Sequence, residues 1–133
     1  MPTASPSDLA VVPLFESLSE PELTELAGWF EVKDVNAGVR LTGEGATGYS
    51  FFVLSEGEVT VTAHGESIAS LGPGDFFGEM ALLGAGRRQA TVSTTSPARL
   101  LVLFGDDFHR LQASHPGITA KIEAAMEKRF EQL

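Results

Sequence analysis

The residues whose types and order could do chemistry lie in one stretch, Asp75 to Val92, which reads DFFGEMALLGAGRRQATV. After two aromatics and Gly78 comes Glu79 to Leu83, a run of helix formers about one and a half turns long. So short a helix is mostly N-terminus. Its unpaired N–H groups and the positive end of its dipole suit an anion, phosphate above all. Gly78 lets a ligand approach the backbone. Gly84-Ala85-Gly86 then reverses the chain and delivers Arg87 and Arg88 at the start of a β-type run, Ala90 to Thr95. A guanidinium there can close on the same anion with a forked pair of charge-assisted hydrogen bonds. As isolated dipeptides, Gly-Glu and Arg-Arg describe a turn and a solvated loop; the order of the whole set favours a site.

These residues resemble the phosphate-binding cassette of the cyclic nucleotide-binding domain family, the module of catabolite-activator-type regulators, cAMP-dependent kinase regulatory subunits and nucleotide-gated channels. Phe77, Gly78, Glu79, Met80, Ala81 and Leu82 match its first half, and Arg88, Ala90, Thr91 and Val92 its second. The resemblance implies that Glu79 accepts a hydrogen bond from a ribose 2′-hydroxyl, while Arg88 and the amides of Gly78 to Ala81 hold a cyclic phosphate. It also implies that Val61, Ile68 and Ala69 line the cavity beside sugar and base, although each reads equally well as an ordinary core residue. Two positions depart from the pattern. Arg87 stands where many members have proline, and Gln89 where alanine, serine or threonine is usual. The expected ligand is cAMP, with cGMP a second possibility, and no other cofactor is implied.

The elements that must position these residues fit one domain. The chain has 133 residues, no cysteine and a net charge of −9. Disulfides, thiolate metal sites and a cysteine nucleophile are therefore excluded, and the negative charge disfavours a nucleic-acid surface. The acid-free interval between Glu79 and Asp106 nevertheless contains Arg87, Arg88 and Arg99, and local potential governs a small anion. No signal-peptide pattern or membrane-length apolar run is present, so a soluble cytoplasmic protein is expected, with no nucleic-acid or membrane partner.

Residues 1–7 are expected to be a flexible tail and 8–133 the domain, divided into N-terminal helices (8–30), a β-roll (31–104, cassette 76–92) and C-terminal helices (105–133). Asp8 is the candidate cap of a short turn stopped by Pro13. Ser19, Pro21 and Glu22 mark a capped helix with Leu23, Leu26, Ala27 and Phe30 on its apolar face and Trp29 in the core. Asn36-Ala-Gly38 reads as a hairpin, Gly43-Glu-Gly45 and Gly48 as a break, and Tyr49 to Leu54 as a buried strand. Val59 to Thr62 alternates and returns through His64-Gly65 as a hairpin with Ser67 to Leu71. Ala90 to Thr95 and Ala98 to Phe104 complete seven or eight strands. The fold class is mainly β with flanking helices, a jelly-roll (double-stranded β-helix) barrel with an N-terminal helix, a short cassette helix and two C-terminal helices. Asp106 or Asp107 is expected to cap the first C-terminal helix. The second carries Ile118, Ile122, Met126 and Phe130 on one ridge, and by resemblance is a hinged lid or the contact for a homodimer or effector. No DNA-binding, kinase or channel segment is expected to follow it.

Two other functions fit parts of the sequence. A cupin-type metalloenzyme shares the architecture, but its chemistry needs convergent imidazoles, and His64, His109 and His115 form no His-x-His pair. No Gly-x-Ser-x-Gly supports nucleophilic catalysis. The expectation is no enzyme, no catalytic residue and no metal. An interaction module that kept the fold and lost the ligand is the alternative that Gln89 motivates.

Overall fold

The computed structural model describes residues 3–42, 50–78 and 90–130. The expected break at Gly43 to Gly48, Tyr49, and the cassette residues Glu79 to Gln89 lie outside them.

The first helices carry textually legible caps. Ser5 caps α1 (Pro6–Ala10) in a capping box with Asp8: the Ser5 amide donates to Asp8 Oδ2 at 2.8 Å, and the Asp8 amide to Ser5 Oγ at 3.3 Å. Asp8 is thus the third helical residue and not the cap. Residues 3–7, within the expected tail, contact the rest of the chain. Thr3 bridges Glu31, the Ala4 amide donates to the Phe30 carbonyl at 3.1 Å, and Ala4 is buried. Pro13 does not only stop α1; it opens a 3-10 turn, Pro13–Phe15. In α2 (Glu20–Ala27) the expected box is present, with Ser19 and Glu22 bonded reciprocally. Leu26, Ala27 and Phe30 are buried, but Trp29 is only half-buried, its ring covered by the Arg110 guanidinium at 4.9 Å.

Eight strands follow among the described residues: β1 (Glu31–Val35), β2 (Arg40–Thr42), β3 (Ser50–Glu56), β4 (Val59–Ala63), β5 (Glu66–Leu71), β6 (Phe76–Phe77), β7 (Thr91–Thr94) and β8 (Ala98–Phe104). They form two four-stranded antiparallel sheets, β1-β8-β3-β6 and β2-β7-β4-β5. Strand 1 pairs with 8, 2 with 7, 3 with 6 and 4 with 5, as in one long hairpin wound up on itself. The hairpin's tip is His64-Gly65, where φ of 53° and 80° gives the positive pair that a two-residue turn between twisted strands requires. The jelly roll is therefore present as two facing sheets.

Asn36-Ala-Gly38 is not a hairpin, because β1 and β2 lie in different sheets. It is a crossing between sheets, pinned by Thr94. The buried Thr94 hydroxyl donates to the Asn36 carbonyl at 2.7 Å and accepts from the Val39 amide at 2.8 Å. A second crossing, between β3 and β4, turns at Gly57 with φ of 92°, where a Cβ would collide with the Pro97 carbonyl oxygen and lie 2.8 Å from Ala98 Cα. Only glycine fits there.

The first sheet is buried on both faces, which is why Phe51 to Leu54 and Leu100 to Leu103 read as unbroken apolar runs. Phe51, Val53, Leu101 and Leu103 meet Leu9, Phe15, Leu26, Phe30 and the C-terminal helices. Leu54, Leu100, Val102 and Phe77 instead fill the space between the sheets with Val59 and Val92. The chain leaves β8 into α3 (Gly105–Ser114) and α4 (Pro116–Phe130). Neither Asp106 nor Asp107 caps α3; Phe104 holds the cap position without a side-chain bond, and the two acids sit in the first turn, where the helix dipole favours them. Phe108, Leu111, Ile118 and Ile122 are buried as expected.

Candidate functional site

The frame of the candidate site is the ends of β6 and β7, which lie in different sheets. Its upstream post is Phe76-Phe77-Gly78. Alternation sends the two rings to opposite faces: Phe76 packs on Phe51 (5.5 Å between centroids) in the helix-side core, while Phe77 stacks on Phe52 at 4.8 Å and 11° in the inter-sheet core. The Phe77 ring is thus occupied by packing. Gly78 has φ of 95°, a conformation that side-chain-bearing residues rarely adopt, so glycine is required where the chain turns out of β6. Before the post, Leu71 to Asp75 bends as expected: Gly74 has φ of 93°, and Asp75 Oδ2 accepts from the Gly72 amide at 2.9 Å.

The downstream post is Ala90, half-buried, at the entrance to β7. Thr91 is in register with Thr62 and Val92 with Val61, and Val61 lies opposite Ala69. The structure therefore brings Ala90 to the tip of the β4–β5 hairpin and sets Val61, Ala69 and Val92 in one row across three strands. Val61 and Val92 share a face because directly opposed residues do, and Val92 is buried in the inter-sheet core.

Ile68 is explained by a β-bulge. The register passes from Val61↔Ala69 to Thr62↔Ser67, leaving Ile68 as an extra residue. Strict alternation would turn Ile68 and Ala69 to opposite faces; a bulge re-aims a side chain. Both are in fact half-buried, between exposed Ser67 and Ser70. Nothing in the composition of ESIASL signals the extra residue, so only pairing reveals it.

Glu79, Met80, Ala81, Arg88 and Gln89 lie outside the described residues. Of the three arginines in the acid-free interval, Arg99 is committed elsewhere: its Nε is 3.4 Å from Asp34 Oδ1 on β1. With Asp34, Asn36, Val39, Glu56 and Pro97 it lines an open groove of about 500 Å³ at the sheet crossings, which is polar on both signs and contains no proposed site residue. His64 sits at the hairpin tip, His109 on the exposed side of α3 and His115 between α3 and α4. Among the described residues no cluster of three or more His, Asp or Glu is placed to hold a metal, and no helix is long and apolar enough to cross a membrane.

Two sheets wound as a jelly roll, with helices at both ends and Gly78 leading out of β6, define a β-roll. The cyclic nucleotide-binding domain family matches residues 32–115, and the chain belongs to that family. It is 38% identical over 122 residues to a cyclic nucleotide-gated potassium channel of Rhizobium etli, covering 91% of this chain and 34% of the channel. It thus spans about a third of that relative. Among solved structures, cAMP-bound PfPKA-R superposes with a TM-score of 0.88 at 26% identity, covering 96% of this chain and 44% of the other. The catabolite activator protein of Thermus thermophilus superposes at 0.79 and 28%, covering 90% and 59%.

Proposed function

We propose that this domain is a cyclic nucleotide sensor that prefers cAMP to cGMP and works as a regulatory module, not an enzyme. The observation that carries the reading is the crossing from β6 to β7. Its sequence matches both halves of the cassette, with departures at Arg87 and Gln89, and its ends are a positive-φ glycine and the entrance to a strand in register with Val61. In this reading the amides of Gly78, Glu79, Met80 and Ala81 and the Arg88 guanidinium hold the phosphate, Phe77 anchors the start of the cassette, and Glu79 takes the ribose 2′-hydroxyl. A carboxylate so near a phosphate is repelled unless a hydroxyl donor stands between them. Gln89 follows Arg88 directly and acts on the phosphate side, while Ala90, Val61, Ile68 and Ala69 offer an apolar wall to the base, which suits adenine. Binding favours the state in which cassette and α4 close over the ligand, by no more than the ligand's differential affinity for the two states.

The relatives support this reading: one is named as a nucleotide-gated channel, and PfPKA-R was solved with cAMP bound. The domain core then runs from residue 3, partners are a cyclic nucleotide and an effector or second copy docked through α4, and the compartment is the cytoplasm. Calorimetric titration with cAMP, cGMP and 2′-deoxy-cAMP tests it. The reading requires saturable binding of cAMP, weaker cGMP and poor 2′-deoxy-cAMP. No heat and an unchanged melting curve at millimolar nucleotide would leave the fold as a ligand-free interaction module.

A further inference from the structure

The C-terminal helices meet α2 and the turn that follows it through two basic side chains of different character. Arg110 of α3 stacks over the Trp29 ring at 4.9 Å and keeps its charge at every pH the protein survives. His115, the residue that ends α3, holds its Nδ1 3.7 Å from Glu22 Oε2 with its side chain only 15% exposed. The same residue joins the two helices through its backbone, since its amide donates to the Leu111 carbonyl at 2.8 Å and its carbonyl accepts from the Ile118 amide at 3.0 Å. Glu22 is fixed in turn, because its other oxygen accepts from the Ser19 amide at 2.9 Å in the α2 capping box. We infer that the Glu22–His115 pair is a pH-sensitive clamp that seats the α3–α4 junction on α2.

The groups around the imidazole leave Glu22 as its counter-charge. The α3 turn before it, Leu111-Gln-Ala-Ser114, and the α4 turn after it, Pro116-Gly-Ile-Thr119, carry no charge. The flanking ionisable residues are Arg110, engaged with Trp29 and Asp107, and exposed Lys121; α2 also carries exposed Glu20 and Glu25, and the 3-10 turn that packs on α4 is followed by exposed Glu16. Protonated, the imidazole attracts the Glu22 carboxylate; neutral, it loses that attraction. The clamp is therefore tight while the imidazole carries its proton and loosens when that proton leaves, a charge change for which histidine is the side chain of near-neutral pH. On the acid side it lasts until Glu22 itself takes up a proton. With α4 as the lid of the proposed nucleotide site, the clamp makes lid seating depend on pH; that consequence rests on the proposed function, whereas the clamp itself can be tested without nucleotide.

The experiment is a double-mutant cycle with Glu22→Gln and His115→Gln, read as melting temperature of the full chain without nucleotide at about pH 5.5 and about pH 8. At the lower pH each single change should lower the melting point by about 2 °C beyond its effect at the higher pH, and the double change by no more than one single change. At the higher pH the coupling should vanish. Titration of His64 and His109 cancels in the cycle, and Arg110→Ala should cost the same at both values. Amide exchange in the unmutated chain gives a second readout: after correction for intrinsic rates, Ile118 and Thr119 should be better protected at the lower pH. Coupling equal at the two pH values, absent at the lower one, or protection that does not change would overturn the clamp.

Discussion

The ring of Phe51, the second residue of β3, lies 5.4 Å from that of Phe108 on α3 and 5.5 Å from that of Phe76 at the entrance to the cassette segment. Phe51 thus touches both the strand that leads into the candidate site and the helix that leads to the C-terminal arm. Phe51→Ala should lower stability by about 3 to 5 kcal/mol, since it empties a fully buried site contacted by two rings. Denaturant unfolding measures this; a loss below about 1 kcal/mol would mean that the three rings are not packed as described.

Thr94 holds the crossing between the sheets with one hydroxyl. Thr94→Val keeps the shape and removes both bonds, leaving the Asn36 carbonyl and the Val39 amide without that partner. The expected cost is about 1 to 3 kcal/mol, whereas Thr94→Ser should recover most of it, because serine restores the hydroxyl. Equal losses in the two variants would assign the residue's role to its methyl group.

At Gly57 the chain passes too close to Pro97 and Ala98 for any side chain. Gly57→Ala should cost more than about 2 kcal/mol through strain and overlap together. Gly65→Ala provides the comparison, having a similar φ of 80° but open space around it, and should cost less. Equilibrium unfolding of the two variants side by side decides the matter.

The Ser19 amide, then the Ser19 hydroxyl and lastly the charge of His115 hold the Glu22 carboxyl below its ordinary value of 4.5. A carboxyl lowered on folding contributes stability above its unfolded value and loses it as the pH falls through the folded one. Stability measured from pH 5 downward should therefore fall less steeply in Glu22→Gln than in the parent. An unchanged acid limb would show that the carboxylate adds nothing through its charge.

Arg88 and Arg87 are distinguished by register in the proposed site. Arg88→Ala should weaken cAMP binding by about 2 to 5 kcal/mol, as expected when a desolvated phosphate loses its charge partner. Arg87→Ala should cost less than about 1 kcal/mol, in line with a screened surface charge. Calorimetry on both variants checks the assignment, and equal losses would shift the register by one.

What could be read from the chain alone was whatever depends on near neighbours in sequence. The capping box at Ser19 and Glu22, the turn at His64-Gly65, the apolar positions Phe108, Leu111, Ile118 and Ile122, and the order of residues through the cassette are local patterns, set by backbone propensity and by the period of burial. The family followed from the last of these. Ser5 with Asp8 was legible by the same rule and was displaced only by the prolines around it, which suggested a loose end.

What the sequence could not state was which strand pairs with which, because that depends on contacts between residues far apart in the chain. Asn36 to Gly38 reads as a hairpin until Thr94, 58 residues away, is seen bonded to Asn36. The extra residue at Ile68 is visible only as a step in register against β4. Trp29 packs against the core yet stays half-buried, with Arg110 over its ring, and His115 becomes a partner of Glu22 only when α3 ends beside α2. The first two were decided by pairing between segments far apart in the chain, and the last two by burial of the first sheet's helix-side face, which fixed where the helices lie and so which side chains could meet.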